Sequence, residues 1–101
     1  MARAISLTIG VHKFLSKTAA MAYCNARLKS YRDGDTVSTE DHRFLMALLQ
    51  RHAHASEKIG SGVKRFYRAE APQPSYNNRC FWIERTDHSV IDFSIGECLK
   101  S

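Results

Sequence analysis

The chain lacks most of the features that mark membrane, secreted or metal-clamped proteins. No apolar run in its 101 residues approaches the roughly 18 needed to span a bilayer. The N-terminus has neither the long apolar stretch nor the small-residue cleavage site of a signal peptide. The three cysteines, Cys24, Cys80 and Cys98, are odd in number, far apart and never in a Cys-x-x-Cys pair, which argues against a disulfide framework and against a zinc ribbon. A reducing cytoplasm is the compartment these absences point to. No internal repeat and no low-complexity segment is present. At 44% hydrophobic and 25% charged residues the composition is that of a globular protein, and the length gives room for a single domain, residues 1–101, with one modest core.

Positive charge is in excess: fifteen Lys and Arg stand against ten Asp and Glu, for a net charge of +5. The surplus is uneven, since residues 1–35 hold six basic side chains against two acidic ones while the remainder is nearly balanced. A basic chain makes RNA or DNA the first partner to consider.

The strongest pattern lies near the end. Arg79 to Arg85 and Val90 to Ile95 are β-rich runs separated by Thr86-Asp87-His88-Ser89, which reads as a β-hairpin. Ile91, Phe93 and Ile95 share one face, whereas the first run has Phe81 and Ile83 on one side and Trp82 on the other, as a central strand covered on both sides would. Trp82 is read as core packing. Earlier, Ile5, Leu7 and Ile9 alternate with small polar residues and Gly10 permits a sharp turn before Val11 to Leu15, predicting a short hairpin. Ser16 or Thr18 caps a helix to about Tyr31, with Ala20, Cys24, Leu28 and Tyr31 facing inward and Lys17, Arg27, Lys29 and Arg32 making a basic surface or a solvated face. Asp33-Gly34-Asp35 forms a turn, and Ser38 with Asp41 resembles a capping box with Asp in the place of Glu. The second helix runs to about His52, which continues the apolar face of Phe44, Leu45, Leu48 and Leu49 and is read as a packed histidine near the last helical carbonyls.

Residues 52–62 read as a polar loop ending in Gly60-Ser61-Gly62. Three readings apply: a phosphate cradle assisted by Lys58, which lacks the residues that follow the glycines in a P-loop; a metal site at His52 and His54, for which no second ligand pair stands at zinc spacing; and a tight turn into the next strand, which is favoured. Val63 to Ala69 is a third β-run, in which a bulge near Lys64 or Arg65 would let Val63 and Phe66 share a face. Residues 72–78 form a proline-containing loop, and Gly96 to Ser101 form a tail in which Leu99 docks. The predicted architecture is α+β: an N-terminal β-hairpin, two helices, then a three-stranded antiparallel sheet packed against the helices.

Asp41 with Phe44-Leu45 and Leu48-Leu49, His52, Glu57-Lys58-Ile59-Gly60 with Gly62, Arg79-Cys80-Phe81, Arg85-Thr86-Asp87, and Asp92-Phe93-Ser94 with Cys98 together resemble the domain of the plant "defective chloroplasts and leaves" protein and its small bacterial relatives. Phe14, Lys17 and Ala20 extend the match less specifically. The resemblance implies an RNA or DNA setting, since the plant family is associated with plastid ribosomal RNA maturation and a related domain sits in the tail of a plant RNA polymerase; it brings no known catalytic centre. Two departures concern the backbone: His52-Ala53 where the family has His-Pro, and Asp87-His88 where it has Asp-Gly.

The expected function is therefore a non-catalytic RNA- or DNA-associated module, with a protein-docking adaptor for a nucleic-acid enzyme as the alternative and a small nuclease or other hydrolase as a third reading. Lys58, Lys64, Arg65, Arg79 and Arg85 would meet phosphates, and Tyr67, Tyr76 or Trp82 would stack on bases, with core packing favoured for Trp82. His52, Gly60 and Gly62 would support the loop. His52, Asp87, Asp92 and Cys98 have the chemistry for catalysis, but no spacing ties them together. No cofactor and no metal is expected.

Overall fold

A computed structural model describes residues 7–70, 79–93 and 95–99. Its elements are β1 (Leu7–Ile9), β2 (His12–Phe14), α1 (Lys17–Lys29), α2 (Thr39–Leu49), α3 (Ala55–Ile59), β3 (Val63–Glu70), β4 (Arg79–Arg85), β5 (Val90–Phe93) and α4 (Ile95–Leu99). β1 and β2 form an antiparallel pair, and β3, β4 and β5 a second antiparallel sheet in that order, giving the expected α+β arrangement. Ile5, the loop of residues 72–78 with Tyr76, and Ser94 lie outside the described residues.

Ile9 pairs with His12, so the first hairpin closes through Gly10 and Val11 alone. Gly10 takes φ +61° at the first turn position, where a two-residue loop that matches strand twist demands glycine. Ser16 then caps α1 by accepting from the Ala19 N–H at 3.1 Å, and Ala20, Cys24 and Leu28, each four residues apart, are buried. Burial pushes the Cys24 thiol up to about 12, so it packs as a neutral group. Tyr31 lies past the end of α1 and sends its hydroxyl to α2.

There the capping box is closed by a relay. Ser38 Oγ accepts from the Asp41 N–H at 3.1 Å, but the Asp41 carboxylate does not return to the Ser38 N–H; Tyr31 Oη accepts that N–H at 2.9 Å and donates to Asp41 Oδ2. Aspartate is one methylene shorter than the usual glutamate, and the phenol bridges the difference. Asp41 also takes Arg27 Nε at 3.0 Å and Nη2 at 2.9 Å, so one buried carboxylate ties α1, the loop after it and α2 together.

α2 ends at Leu49, short of the expected His52. His52 is buried; its N–H donates to the Leu49 carbonyl at 2.9 Å and its Nδ1 accepts from the His54 N–H at 2.9 Å. The stretch read as a polar loop contains the one-turn helix α3, and the stretch read as a tail contains α4. The β5 run stops at Phe93, so Ile95 is buried from α4 rather than from the strand. Leu99 docks as expected, and Arg51 Nε donates to the Cys98 carbonyl at 3.2 Å, satisfying the end of that helix.

The bulge is where the sequence placed it: Val63 pairs with Arg85 and Arg65 with Glu84, leaving Lys64 as the extra residue. Phe66, Phe81, Ile83 and Phe93 are fully buried on the helix side of the sheet. Both sheet edges are engaged. The Gly34 and Val37 N–H groups donate to the Arg68 and Phe66 carbonyls along β3, and Lys58 Nζ donates to the Asp92 carbonyl on β5 at 3.0 Å, which covers edges otherwise open to a foreign strand.

The second hairpin has a three-residue loop. The Arg85 N–H donates to the Ser89 carbonyl, the His88 N–H to the Arg85 carbonyl, and His88 sits at φ +73° in the position that glycine favours. His88→Gly is expected to raise stability by about 0.5–1 kcal/mol, because glycine adopts this backbone without steric penalty. Urea denaturation checks it; an unchanged or lower midpoint would contradict it.

Candidate nucleic-acid interface

The predicted cations do not gather on one surface, because several are consumed inside the fold. Arg85 lies under the glycine loop: its Nε donates to the Lys58 carbonyl at 3.0 Å, Nη2 to the Glu57 carbonyl at 2.8 Å and Nη1 to Ser89 Oγ at 3.2 Å. The guanidinium thus caps the C-terminal carbonyls of α3. Gly60 packs directly on it at φ 55°, ψ −120°, and a Cβ at that position would stand 2.7 Å from Arg85 Nε. Gly62, at φ +126°, faces Thr86. Thr86 Oγ1 donates to the Ser61 carbonyl at 3.0 Å, the Thr86 N–H donates to the Gly62 carbonyl at 2.9 Å, and Asp87 Oδ1 accepts from the Ser89 N–H at 3.0 Å. Hydrogen bonds from the Ser89 hydroxyl, at 2.5 Å, and from this N–H hold the Asp87 carboxyl below its ordinary range. Glu57-Lys58-Ile59-Gly60-x-Gly62 and Arg85-Thr86-Asp87 are two halves of one interlock. Gly60 and Gly62 therefore belong to the backbone geometry the turn reading favoured, and His52 orders the segment leading into it.

Lys58 is committed to β5, with Asp92 Oδ1 3.9 Å away in addition to the carbonyl. Arg79, at the far end of β4 from Arg85, donates from Nε to both Asp33 oxygens, at 2.8 and 3.1 Å. Six residues of strand hold Arg79 and Arg85 about 20 Å apart.

Arg65 and Tyr67 come together on the face of the sheet turned away from the helices, and a residue the sequence reading assigned to the core joins them. Tyr67 pairs across β4 with Trp82, and because side chains alternate, both point away from the Phe66, Phe81 and Ile83 side. Trp82 is half-buried, its ring 6.5 Å from Tyr67 with 23° between planes, and its Nε1 donates to the Glu70 carbonyl at 3.0 Å. The Arg65 guanidinium lies 4.4 Å over the Tyr67 ring. It is oriented from below by Glu84 Oε1 at 2.6 Å and from the side by the Gly34 carbonyl and Thr36 Oγ1. That Arg65 hydrogen bond is the main reason the Glu84 carboxyl is held below its ordinary range. Lys64, on the bulge, is half-exposed and 3.7 Å from Glu84. Nearby Cys80 is a neutral thiol, its ionisation suppressed mainly by burial. Alternation showed that Trp82 opposes Phe81 and Ile83; which side the helices cover was not in the pattern.

The catalytic candidates are spread out. His52 is engaged by His54, Asp87 by Ser89 and Asp92 by Lys58, while Cys98 is buried in α4. Among the described residues no three His, Cys, Asp or Glu side chains are grouped as metal ligands, and no helix is long and apolar enough to cross a membrane.

Comparison with known proteins agrees with the motif reading. A family model described as "Protein of unknown function (DUF3223)" matches residues 25–99. Protein DCL, chloroplastic, of Solanum lycopersicum is 38% identical over 72 residues, covering 69% of this chain and 31% of that protein. Protein EMBRYO DEFECTIVE 514 of Arabidopsis thaliana is 28% identical over 92 residues, covering 90% and 45%. DNA-directed RNA polymerase V subunit 1 of Arabidopsis thaliana is 33% identical over 73 residues, covering 71% and 4%. The chain thus spans less than half the length of these relatives. The solution NMR structure of an uncharacterized protein from Rhodospirillum rubrum superposes with a TM-score of 0.84 at 44% identity, covering 97% of this chain and 91% of that one. With most of its length matched by one family model and its motif residues interlocked in the fold, the chain belongs to the DUF3223 family and carries the DCL-like domain that its sequence resembles.

Proposed function

We propose that this domain is a non-catalytic module that binds single-stranded RNA or DNA on the outer face of β3 and β4. The observation that carries this reading is the ordered stack of Arg65 over Tyr67 beside Trp82, on a sheet face opposite the one the helices pack on. Half-buried aromatic planes offer bases a surface that does not depend on their identity, and a guanidinium already parallel to a ring extends it while supplying charge. Asp92 lies on β5, whereas Arg65 and Lys64 together outnumber the one carboxylate, Glu84, that they share, so a polyanionic backbone is better accommodated along the β3 side. The net charge of +5 and the RNA polymerase subunits among the relatives are consistent with a nucleic-acid setting.

Trp82 is the one tryptophan in the chain, so its fluorescence reports on this face directly. Single-stranded RNA and DNA are expected to quench it more than duplex does, and the affinity to fall as salt rises. Tyr67→Ala, with folding confirmed by circular dichroism, is expected to weaken binding about 5- to 100-fold, the value of one stacked base. Absence of both quenching and an anisotropy change at low salt would overturn the proposal and favour docking on a protein.

A further inference from the structure

A second cationic feature lies on the other side of the sheet. Arg32, Asp33, Arg68 and Arg79 line an open recess of about 500 Å³ at the Glu70 and Arg79 end of β3 and β4. Two of these guanidinium groups, Arg68 and Arg79, share the Asp33 carboxylate, the third, Arg32, does not reach it, and the match is incomplete. Arg79 Nε takes both Asp33 oxygens. Arg68 Nη1 donates to the Tyr31 carbonyl, but its Nε, ion-paired at 3.4 Å with Asp33 Oδ1, is buried and has no hydrogen-bond acceptor among the described residues. The Arg32 side chain is exposed and makes no ion pair among the described residues. Glu70 adds a carboxylate only at the rim, 4.0 Å from Arg79. Buried donors without acceptors are rare because each is costly, and like charges held together need a counter-charge. Asp33 supplies one negative charge from a turn that Gly34 makes at φ +89°, and its side chain is half-exposed at the mouth of the recess.

We propose that this recess is a phosphate-binding site in which Asp33 is an internal anion that the ligand displaces. A phosphate dianion brings more charge and more acceptor oxygens than a carboxylate, enough to engage Arg68 Nε, Arg79 and Arg32 at once, and arginine forks suit its geometry. The site is independent of the aromatic face: Arg68 pairs with Phe81 and points to the helix side, away from Tyr67 and Trp82.

The test is a titration of the arginine Nε–Hε signals by NMR, with inorganic phosphate, a 5′-phosphorylated dinucleotide and the same dinucleotide without the phosphate. Phosphate is expected to shift Arg68 and Arg79 saturably while leaving Arg85 in place, and Asp33→Asn to tighten binding about tenfold by removing the competing charge. Arg79→Gln is expected to abolish the saturable shift of Arg68 while the remaining spectrum stays dispersed. A tighter response to the phosphorylated dinucleotide than to inorganic phosphate would assign the site to a nucleic-acid end; equal responses would assign it to free phosphate. Shifts spread uniformly over all arginines, or an Asp33→Asn variant that binds no better, would overturn the proposal, whatever the fate of Trp82 quenching.

Discussion

Gly60→Ala is expected to destabilise the domain by about 3 kcal/mol, which for a chain of this size lowers the melting temperature by roughly 12–20 °C. Two costs add. At φ 55°, ψ −120° a side chain is strained wherever it points, an effect of about 1–3 kcal/mol. The new Cβ would also stand 2.7 Å from Arg85 Nε and 2.9 Å from its Cδ. Arg85 cannot simply move aside, since the same guanidinium holds the Lys58 and Glu57 carbonyls and Ser89. Gly34→Ala is the control: its φ is +89°, but nothing lies within 4 Å of the added Cβ, so only the backbone term of about 1–2 kcal/mol remains. Thermal melts of both variants decide the point. Equal losses would mean that the Arg85 contact contributes nothing.

The second large effect is expected at Asp41. Removing its carboxylate by Asp41→Ala leaves Arg27 and Tyr31 without their shared acceptor, in a position where Asp41 itself is 3% exposed. Breaking a fully buried ion pair costs roughly 3–5 kcal/mol. The Arg27 side chain is 41% exposed and regains water, which reduces the expected loss to about 2–3 kcal/mol. A double-mutant cycle with Arg27→Ala in urea is expected to show coupling of at least about 1 kcal/mol; additive losses would show that the pair is decorative. Because the Ser38 N–H reaches the Asp41 carboxylate through Tyr31, Tyr31→Phe should reproduce part of the loss on its own.

Both predictions concern residues that the sequence had already singled out, Gly60 for a tight turn and Asp41 for a capping box; the Arg85 guanidinium beneath the glycine and the Arg27 and Tyr31 partners of the carboxylate were not legible there. Arg85 was expected to meet phosphates, yet its guanidinium is used to hold α3 against the β4–β5 turn. Lys58 belongs to the same construction. The cations near nucleic acid in the present proposal are the ones the interlock does not consume, Arg65 and Lys64, with Arg79 moved to a separate recess where Arg68 and Arg32 join it.

What the sequence determined by itself were the features governed by local chemistry. Alternation defined β3, β4 and the core face of β5; the spacing of Ala20, Cys24 and Leu28 set the inner stripe of α1; Ser16 and Ser38 marked where helices begin; and the break in alternation at Lys64 announced the bulge. Five-residue helices such as α3 and α4 escaped because one turn is too short to show a period. What only the tertiary structure decided was the partner of each charge and the uncovered side of the sheet. An arginine looks the same in sequence whether it will meet a carbonyl 27 residues away, as Arg85 meets Lys58, or a carboxylate 46 residues away, as Arg79 meets Asp33. Likewise, a strand with Phe81 and Ile83 on one face and Trp82 on the other is compatible with helices on either side. The larger apolar area went to the helices, and that choice left Tyr67 and Trp82 on the opposite face.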